Sequence, residues 1–434
     1  ARGRRRREFV VHPSRDDQPR EGWSLPLPST GDTNVSRGRR AVLLEASSGG
    51  SLRPAGADAA NDRARLQGWI RDGAAGGDAT SSDDGEVNRG QTAVWEDGGG
   101  DCEPMADWQT TFHPTCNDVH GSDTPRLAVR GALSLVSSKG FWRNAWKVDL
   151  SAAEPAAPRR DRAPSGAVVL KSLKYVHDPD GETFELGRVD AVSLDVLTGS
   201  AHTMDVFGHC GTTSVQEYAG GDLKGLLPKL GHVERLEMAV MIAEGVADVH
   251  SVGGGNGTVS LIHNDINMDN LLLGKRDGRD VPLLNDFNIA VFRKRDAETG
   301  EPCRFRGRFA NPQWMSPEQQ ERPSDGLSSG VLDETIDVYA LGNILYKIAV
   351  GRSPWKHDFG DKINTPEIKG KIARAKIRGA KPKVPPDVKE SAEPGVRSVL
   401  TAMERCYRND PSKRPTAREL AAYLRGELRR IDVK

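Results

Sequence analysis

Two short stretches rich in aspartate and asparagine constrain the fold of this chain more than any other feature. The first reads I-H-N-D-I-N-M-D-N over residues 262–270 and runs directly into the apolar residues 271–273. The second reads L-L-N-D-F-N-I over residues 283–289, so its aspartate follows that of the first by about twenty residues. Both stretches adjoin apolar runs of strand length. The pattern therefore predicts polar loops beside buried strands, serving one site.

The polar residues of these two loops are of the types that phosphoryl transfer needs. That reaction depends on placement and charge neutralisation more than on covalent work by the protein. Asp265 would face the substrate hydroxyl and accept its proton, while Asn270 and Asp286 would hold Mg²⁺, which prefers hard oxygen ligands. The alternative is a pair of β-hairpin loops whose aspartates and asparagines only make turns.

Length and charge limit what else the chain can be. Its 434 residues suffice for one large two-lobed domain and additional sequence. Lys and Arg together number 61, as do Asp and Glu, so no net charge draws the chain to nucleic acid or to a membrane surface. Because no run of about 18 apolar residues occurs, no segment is predicted to span a bilayer.

The cysteines are predicted to be reduced. They are scattered, odd in number and form no C-x-x-C pair, which fits a reducing compartment better than a disulfide framework. We therefore expect a cytoplasmic protein; because the sequence starts at Ala1, an upstream targeting or membrane segment stays open. The five are Cys102, Cys116, Cys210, Cys303 and Cys406.

Composition divides the chain into three parts. Residues 1–100 are dominated by Gly, Ser, Asp, Arg and Ala without a sustained period, which predicts a disordered tail. Residues 101–125 form a lead-in in which Trp, Phe, Met and two Cys return. A domain is expected over 126–430, with its N-terminal lobe at 126–219 and its C-terminal lobe at 220–430.

The lead-in has two interpretations. The favoured one is a short ordered segment that packs on the following domain through residues such as Trp108. The other is a zinc site, although the spacing of its ligands matches no zinc pattern. The ligands would be Cys102, His113, Cys116 and His120.

The predicted N-terminal lobe contains a hairpin, a strand and a helix. Residues 127–148 alternate as a strand, a turn at Gly140 and a second strand. The β-branched run 167–173 predicts a third strand that carries Lys171. The helix predicted over 183–198 offers an acid to pair with Lys171.

That acid is left between two residues. Asp190 fits best because Leu194 then lies one turn further along the helix, and Glu185 is the alternative. An aspartate is shorter than a glutamate, so an ion pair through Asp190 would be strained or would require the helix to rotate.

Further along the chain, two helices have clear apolar stripes. The first is predicted over 235–250, before the first polar loop, and the second over 334–350. The second helix carries Asp337 near its start. A segment reading N-P-Q-W-M-S-P-E ends at Glu318 before it.

Together these residues resemble the eukaryotic protein kinase superfamily over about 127–428. The matching residues occur in the family's order and spacing. They are Lys171, Asp265, Asn270, Asp286, Glu318, Asp337 and Arg414. The resemblance implies an α+β, two-lobed protein kinase-like fold with a small, mainly β N-terminal lobe and a larger, mainly α C-terminal lobe. It also implies ATP and Mg²⁺ as cofactors and a protein as substrate.

The resemblance assigns further residues to the nucleotide. Gly140 would lie in the loop over the phosphates, and Lys171, paired with Asp190, would contact the α- and β-phosphates. The backbone around Glu217 and Ala219 would face adenine, and the carboxylate of Asp222 would reach the ribose; both lie in the stretch Q-E-Y-A-G-G-D. Glu318 would pair with Arg414, and Asp337 would brace the catalytic loop. The lead-in C-x-P-M-x-x-W-Q and the N-D-F-N are similar to a group of kinases from brown algae and diatoms.

Several positions depart from the family pattern. Asn264 replaces the Arg of H-R-D, Asn267 replaces a Lys found in Ser/Thr kinases, Asn288 replaces the Gly of D-F-G, and only Gly140 remains of three loop glycines. Two functions stay open: an active kinase, favoured as the Ser/Thr type, and a pseudokinase scaffold that binds nucleotide weakly. A small-molecule kinase of related fold fits less well.

Asn264 also bears on regulation. The Arg that it replaces normally binds a phosphate on the activation segment. In residues 288–313, Thr299 is the only Ser or Thr, and Tyr is absent. The same segment carries six cations, which predicts docking of an acidic substrate or partner without phosphorylation of the segment. The six are Arg293, Lys294, Arg295, Arg304, Arg306 and Arg308.

Overall fold

The computed structural model divides the chain into two units, Ala1–Gly56 and Ala57–Lys434. It describes residues 93–95, 102–111, 115–116, 119, 131–150, 166–253, 258–308, 310–320 and 331–432. All of these belong to the second unit. The predicted disordered tail falls almost entirely outside the described residues.

A five-stranded antiparallel sheet forms the N-terminal lobe. Its spatial order is β3-β4-β5-β7-β6, and every neighbouring pair is antiparallel. A small apolar cluster, which includes Val148, Val168 and Val215, covers one face of the sheet. The strands are β3 (Leu133–Ser137), β4 (Arg143–Asp149), β5 (Ala167–Leu173), β6 (Val206–Cys210) and β7 (Thr213–Glu217). The predicted hairpin and third strand are both present.

One helix, α1 (Gly181–Val196), accompanies this sheet. It starts at Asp180, whose carboxylate accepts a hydrogen bond from the Thr183 N–H at 2.9 Å, while the Thr183 hydroxyl accepts one from the Asp180 N–H. This reciprocal capping fixes where the helix begins. Asp190 lies in the buried part of the helix and has no solvent exposure. The capped helix thus presents a carboxylate to the interior of the lobe.

Helices dominate the C-terminal lobe. The long helices α3 and α4 contribute a large share of a continuous apolar core, in which Val246, Leu341 and Leu345 have no solvent exposure. The helices are α2 (Leu223–Leu226), α3 (His232–Val249), α4 (Thr335–Val350), α5 (Lys356–Phe359), α6 (Pro366–Ile377), α7 (Pro386–Lys389), α8 (Pro394–Cys406) and α9 (Ala417–Asp432). The core holds the helices beneath the polar loops and so gives those loops a rigid base.

Short strands carry the polar loops of this lobe. A three-stranded sheet has the order β11-β10-β8, and β9 pairs with β12. The strands are β8 (Gly221–Asp222), β9 (Leu261–Ile262), β10 (Leu271–Arg276), β11 (Arg279–Leu284) and β12 (Val291–Phe292). As the sequence indicated, the first polar loop lies between β9 and β10, and the second follows β11. The two-lobed, α+β fold class is therefore confirmed.

The lead-in and the end of the predicted tail each add one strand to the segment after β12, so residues 93–95 form a strand where disorder was expected. Strand β1 (Ala93–Trp95) pairs with β14 (Phe305–Gly307), and β2 (Cys102–Pro104) pairs with β13 (Lys294–Asp296). Next to β2, Trp108 packs edge-on against Phe292, with ring centroids 4.8 Å apart. The buried amide of Gln109 donates to the carbonyl oxygens of Ser260 and Arg293. The lead-in is therefore packed against the domain.

The expectation of reduced cysteines is wrong for four of the five. Cys102 is bonded to Cys303, and Cys116 is bonded to Cys210. The error arose because the partners lie 201 and 94 residues apart in sequence, so no local spacing reveals the pairs. Cys406 is the free, buried cysteine.

The disulfides also remove the zinc alternative, because both of its cysteines are consumed. Within the described residues no cluster of side chains could hold a metal of that kind. His113 and His120 lie outside the described residues. None of the helices in the described ranges combines the length and the apolar composition required to cross a membrane.

Candidate active site

The catalytic loop between β9 and β10 is held by Asp337 from the start of α4. Its carboxylate accepts hydrogen bonds from the backbone N–H groups of His263 at 2.8 Å and Asn264 at 2.9 Å. The His250 ring nitrogen lies 3.1 Å from the same carboxylate. Asn264 has φ of +64°, a left-handed conformation that asparagine tolerates better than most residues. Asp337 thereby fixes a tight turn immediately before Asp265.

Asp265 is held by two amide side chains. Asn267 Nδ2 donates to one carboxylate oxygen at 2.9 Å, and Asn270 Nδ2 donates to the other at 3.0 Å. Burial raises the pKa of Asp265 to about 7, while the hydrogen bonds from Asn267 and Asn270 oppose that rise. A carboxylate with this pKa is a competent proton acceptor near neutral pH.

Asn270 and Asp286 present oxygen atoms suited to a hard cation. Asn270 Nδ2 donates to the backbone and side-chain oxygens of Asp265, which leaves the Asn270 amide oxygen for another partner. The Asp286 side chain is 34% exposed, and the backbone of Asp286 has a φ of +65°. A carboxylate and an amide oxygen are the ligand types that Mg²⁺ prefers. The residues therefore fit the metal that the sequence implied.

Across the cleft, two cations and two carboxylates meet in one cluster. Lys171 Nζ lies 3.5 Å from Asp190 and 3.8 Å from Asp286. Arg143 places its guanidinium 2.8 Å from Asp190 and 3.0 Å from Asp286. Lys171 also donates to the side-chain oxygen of Asn285 at 3.0 Å. We call Arg143, Lys171, Asp190 and Asp286 the four-charge cluster.

The sequence reasoning missed Arg143. It lies three residues after Gly140, within the stretch assigned to the phosphate-covering hairpin, but nothing in the local sequence ties it to Asp190 or Asp286. Only the pairing of β4 with β5, which sets Ala145 opposite Lys171, brings Arg143 to the same face as Lys171. That signal is visible once strand register is known.

Of the two acids considered on α1, Asp190 is the one near Lys171. Its carboxylate also accepts hydrogen bonds from Gln216 Nε2 and from the Phe287 N–H, each at 2.8 Å. Burial alone would raise the pKa of Asp190, but the charges of Arg143 and Lys171 hold it well below its usual value. Glu185 instead pairs with Arg188 at 2.7 Å.

The loop around Gly140 is held by contacts with residues that follow β5. Lys174 Nζ donates to the Ser138 carbonyl oxygen at 2.8 Å, and the His177 ring nitrogen contacts the Phe141 carbonyl oxygen at 2.9 Å. The Trp142 ring lies 4.8 Å from that of His177. Gly140 itself is exposed. The loop is tied to the segment that follows β5.

The stretch Q-E-Y-A-G-G-D, residues 216–222, joins the two lobes, and we call it the hinge. Glu217 ends β7, and its buried carboxylate pairs with Arg276 at 2.5 Å, an interaction that the sequence did not indicate. Ala219 lies beside the main core. Asp222 caps α2, accepting hydrogen bonds from the N–H groups of Lys224 and Gly225. Each Asp222 oxygen retains a lone pair for a hydroxyl donor.

The activation segment is held by its own contacts. The Asn264 amide donates to the carbonyl oxygens of Ile289 and Arg308, and its oxygen accepts from Gln319. Arg308 also pairs with Glu182 of α1 at 2.6 Å. A neutral amide therefore makes the contacts at the position where the family carries an arginine.

Further ties fix the same segment. Arg293 pairs with Glu334, Arg295 pairs with Glu103, and the Cys102–Cys303 disulfide joins the segment to the lead-in. Three of the six predicted docking cations are thus already paired.

The turn after Asp286 does not place Asn288 in the left-handed region; Asp286 adopts that conformation instead.

Two buried cations support the lower part of the site. Arg414 makes a two-pronged pair with Glu318 and donates to the Thr335 carbonyl oxygen. Lys376, which the sequence reasoning missed, donates to the carbonyl oxygens of Pro312, Gln313 and Met315. Burial lowers the pKa of Lys376 well below its usual value. These contacts hold the end of the activation segment in place.

A β-rich lobe with one buried helix, a helical lobe with a braced H-x-D loop, and a D-F turn between them define the protein kinase class. The sequence model of the protein kinase domain family matches residues 205–423. The chain belongs to this family. The match begins after α1, so Arg143, Lys171 and Asp190 lie outside it.

Curated relatives agree with this assignment at modest identity. The chain is 29% identical over 207 residues to the serine/threonine-protein kinase PkaA of Streptomyces coelicolor, covering 48% of this chain and 32% of the relative. It is 27% identical over 256 residues to a probable receptor-like serine/threonine-protein kinase of Arabidopsis thaliana, covering 57% and 53%. A serine/threonine-protein kinase of Saccharomyces cerevisiae is 26% identical over 214 residues, covering 48% and 12%. The chain thus spans about half or less of the length of these relatives.

Proposed function

We propose that the chain is an active, ATP-dependent protein kinase of the Ser/Thr type. The observation that carries this proposal is the arrangement around Asp265, whose carboxylate is held by Asn267 and Asn270 and whose loop is braced by Asp337. A scaffold that transfers no phosphate would not need a carboxylate held in this way. The names of the relatives support the Ser/Thr type.

In this proposal the polar residues of the cleft divide the chemistry among them. Asp265 accepts the proton of the protein hydroxyl, and Asn270 and Asp286 hold Mg²⁺. When bound, the metal neutralises charge on the phosphates of ATP. Lys171, positioned by Asp190, contacts those phosphates. The orientation of Asp265 comes from the protein alone, because both of its oxygens accept hydrogen bonds from amides.

The same proposal assigns the nucleotide contacts of the hinge. The backbone at Glu217 and Ala219 meets adenine, and Asp222 meets the ribose. The pair between Glu217 and Arg276 supports this assignment, because it fixes the end of β7 where the hinge begins. Gly140 contributes a backbone group near the phosphates.

A transfer assay tests the proposal. Purified chain is incubated with radiolabelled ATP, Mg²⁺ and a panel of generic protein substrates, and labelled residues are identified by phosphoamino-acid analysis. We expect label on serine or threonine. No transfer to any substrate, with ATP binding intact, would contradict the proposal, and label confined to tyrosine would contradict the Ser/Thr type.

We further propose that the activation segment works without phosphorylation. The contacts of Asn264, the Arg308–Glu182 pair and the Cys102–Cys303 disulfide order the segment with no phosphate. The predicted preference for acidic substrates has less support, because Arg293, Arg295 and Arg308 are engaged in ion pairs. Raising the salt concentration tests it. If the segment attracts acidic substrates, salt screens that attraction, so the KM for the substrate should rise.

The remaining assignments stay predictions. They are the domain boundaries at 101–125 and 126–430, the likeness to brown-algal and diatom kinases, and the cytoplasmic location. The two disulfides weigh against a reducing compartment, because cytosolic thiols are normally kept reduced.

A further inference from the structure

We propose that Arg143 is a second nucleotide-binding cation that contacts the phosphates of ATP beside Lys171. The inference rests on the proposed nucleotide site. Arg143 is the first residue of β4, and its side chain is only 9% exposed. Its guanidinium contacts both the acid of α1 and the predicted metal ligand, Asp190 and Asp286. It therefore lies between the two lobes, at the place assigned to the phosphates.

A structural role at Asp190 does not account for Arg143. The Asp190 carboxylate already has the Lys171 ammonium, the Gln216 amide and the Phe287 N–H around it. Burying a further ion pair seldom adds stability, because both charges lose their hydration. The second cation therefore has another use, which its position beside Asp286 indicates.

The charge of the cluster supports that use. Lys171 with Asp190 and Asp286 alone would carry a net charge of about −1, which repels the phosphates of ATP. Arg143 brings the four-charge cluster to neutrality. Asp286 is the more exposed of the two carboxylates, at 34% against 0% for Asp190. If Asp286 held Mg²⁺, Arg143 would still contact Asp190 and would have further N–H donors for phosphate oxygens.

The pinned hairpin loop explains why an additional donor is useful. In a glycine-rich loop, backbone N–H groups approach the phosphates closely because no Cβ intervenes. Here the carbonyl groups of Ser138 and Phe141 are tied to Lys174 and His177. A guanidinium offers charge-assisted, two-pronged hydrogen bonds that replace such backbone donors. The side chain of Arg143 thus substitutes for part of the loop.

Calorimetric binding to the full chain tests this assignment without measuring catalysis. The ligands are ATP without metal, ATP with Mg²⁺, and adenosine, which has no phosphate. Arg143→Ala should weaken ATP binding about 10-fold or more with and without Mg²⁺, because a hydrogen bond to a charged group is lost. Adenosine binding should stay within about twofold of the parent. Arg429→Ala, which removes an exposed cation from α9, is the matched control and should change neither.

The outcomes separate this inference from the proposed function. If Arg143→Ala binds ATP as tightly as the parent or more tightly, the guanidinium does not contact phosphate and the inference is wrong. If the parent itself binds no ATP, the proposed kinase function fails first. Should Arg143→Ala not fold, Arg143→Lys decides in its place: it should bind adenosine normally and ATP more weakly, and unchanged ATP binding would contradict the inference.

Discussion

The two faces of the cleft are built on different principles. The lower face consists of two loops that are close in sequence. They supply the carboxylates of Asp265 and Asp286 and the amide of Asn270. On the upper face, Arg143 and Lys171 come from separate strands and meet Asp190 from a helix. The lower face follows the family pattern at its reactive positions, whereas on the upper face only Gly140 remains of the loop glycines and a buried arginine lies beside Lys171.

The difference shows which part of a catalytic site is constrained by chemistry. A proton acceptor and a ligand of Mg²⁺ must be of particular residue types. Phosphate can be bound by backbone N–H groups, lysine or arginine, because each donates to anionic oxygens. An arginine can therefore serve as a phosphate donor on the upper face, whereas the chemistry of the lower face requires its carboxylates.

The largest effect should come from the lower face. We expect Asp265→Asn to lower kcat about 10²- to 10⁴-fold, because it removes the proton acceptor. The affinity for ATP should be unchanged, because Asp265 is assigned to the hydroxyl of the substrate. Single-turnover transfer of radiolabelled phosphate measures the first quantity and calorimetry the second. A variant that turns over at the parental rate would show that another group takes the proton.

The next largest effect should be a loss of folding stability when the ion pair between Glu318 and Arg414, which supports the lower face, is broken. Glu318→Gln should lower the free energy of unfolding by about 3–5 kcal/mol, because it leaves the Arg414 guanidinium buried without its partner. Urea denaturation measures the change. Glu367→Gln, which breaks an exposed pair with Lys371, is the control and should have no measurable effect. Equal effects of the two variants would mean that the buried pair is dispensable.

Asp286 belongs to both faces, so its removal sharpens the comparison. Asp286→Asn suits the test because asparagine tolerates the φ of +65° found there. At an ATP·Mg²⁺ concentration of 100 times Kd, the parent should gain about 2.7 kcal/mol of stability. The variant should lose the Mg²⁺-dependent part of this gain and retain the part seen with ATP alone. An unchanged Mg²⁺-dependent gain would assign the metal to other ligands.

The smallest effect should follow from dephosphorylation. Because Asn264 and the Arg308–Glu182 pair order the activation segment, treatment with a phosphatase should leave kcat and KM unchanged. Thr299→Ala should behave in the same way, since the Thr299 hydroxyl makes local hydrogen bonds, donating to Asp296 and accepting from the Glu301 N–H. A large loss of activity that maps to Thr299 would contradict this account.

The sequence predicted the loops and helices that form the lower face, because these depend on short spacings. The H-x-D-x-x-x-x-N pattern and the N-D-F turn place Asp265, Asn270 and Asp286 within two loops, and apolar periodicity predicted the helices beneath them. The class of fold followed from the same pattern. These features require only neighbours in the chain, which a single sequence displays.

The contacts that the sequence did not reveal all join distant segments. Arg143 meets Asp286 across 143 residues, and Cys102 meets Cys303 across 201. Strand register and chain crossing set these distances, and neither leaves a local pattern. The disulfides were missed for this reason, and the expectation of reduced cysteines relied on the absence of C-x-x-C.

The contact between Gln216 and Asp190 has a consequence for inhibitors that compete with ATP. Gln216 is buried beside the hinge, and its amide is committed to the carboxylate of Asp190. An inhibitor that pushes an apolar ring past Gln216 would break this hydrogen bond and strip a partner from a buried carboxylate. Losing this hydrogen bond costs more binding free energy than burial of the apolar ring supplies, unless the ring carries its own hydrogen-bond donor for Asp190. Compounds selective for this kinase should therefore place an N–H group, rather than a hydrocarbon, behind the hinge.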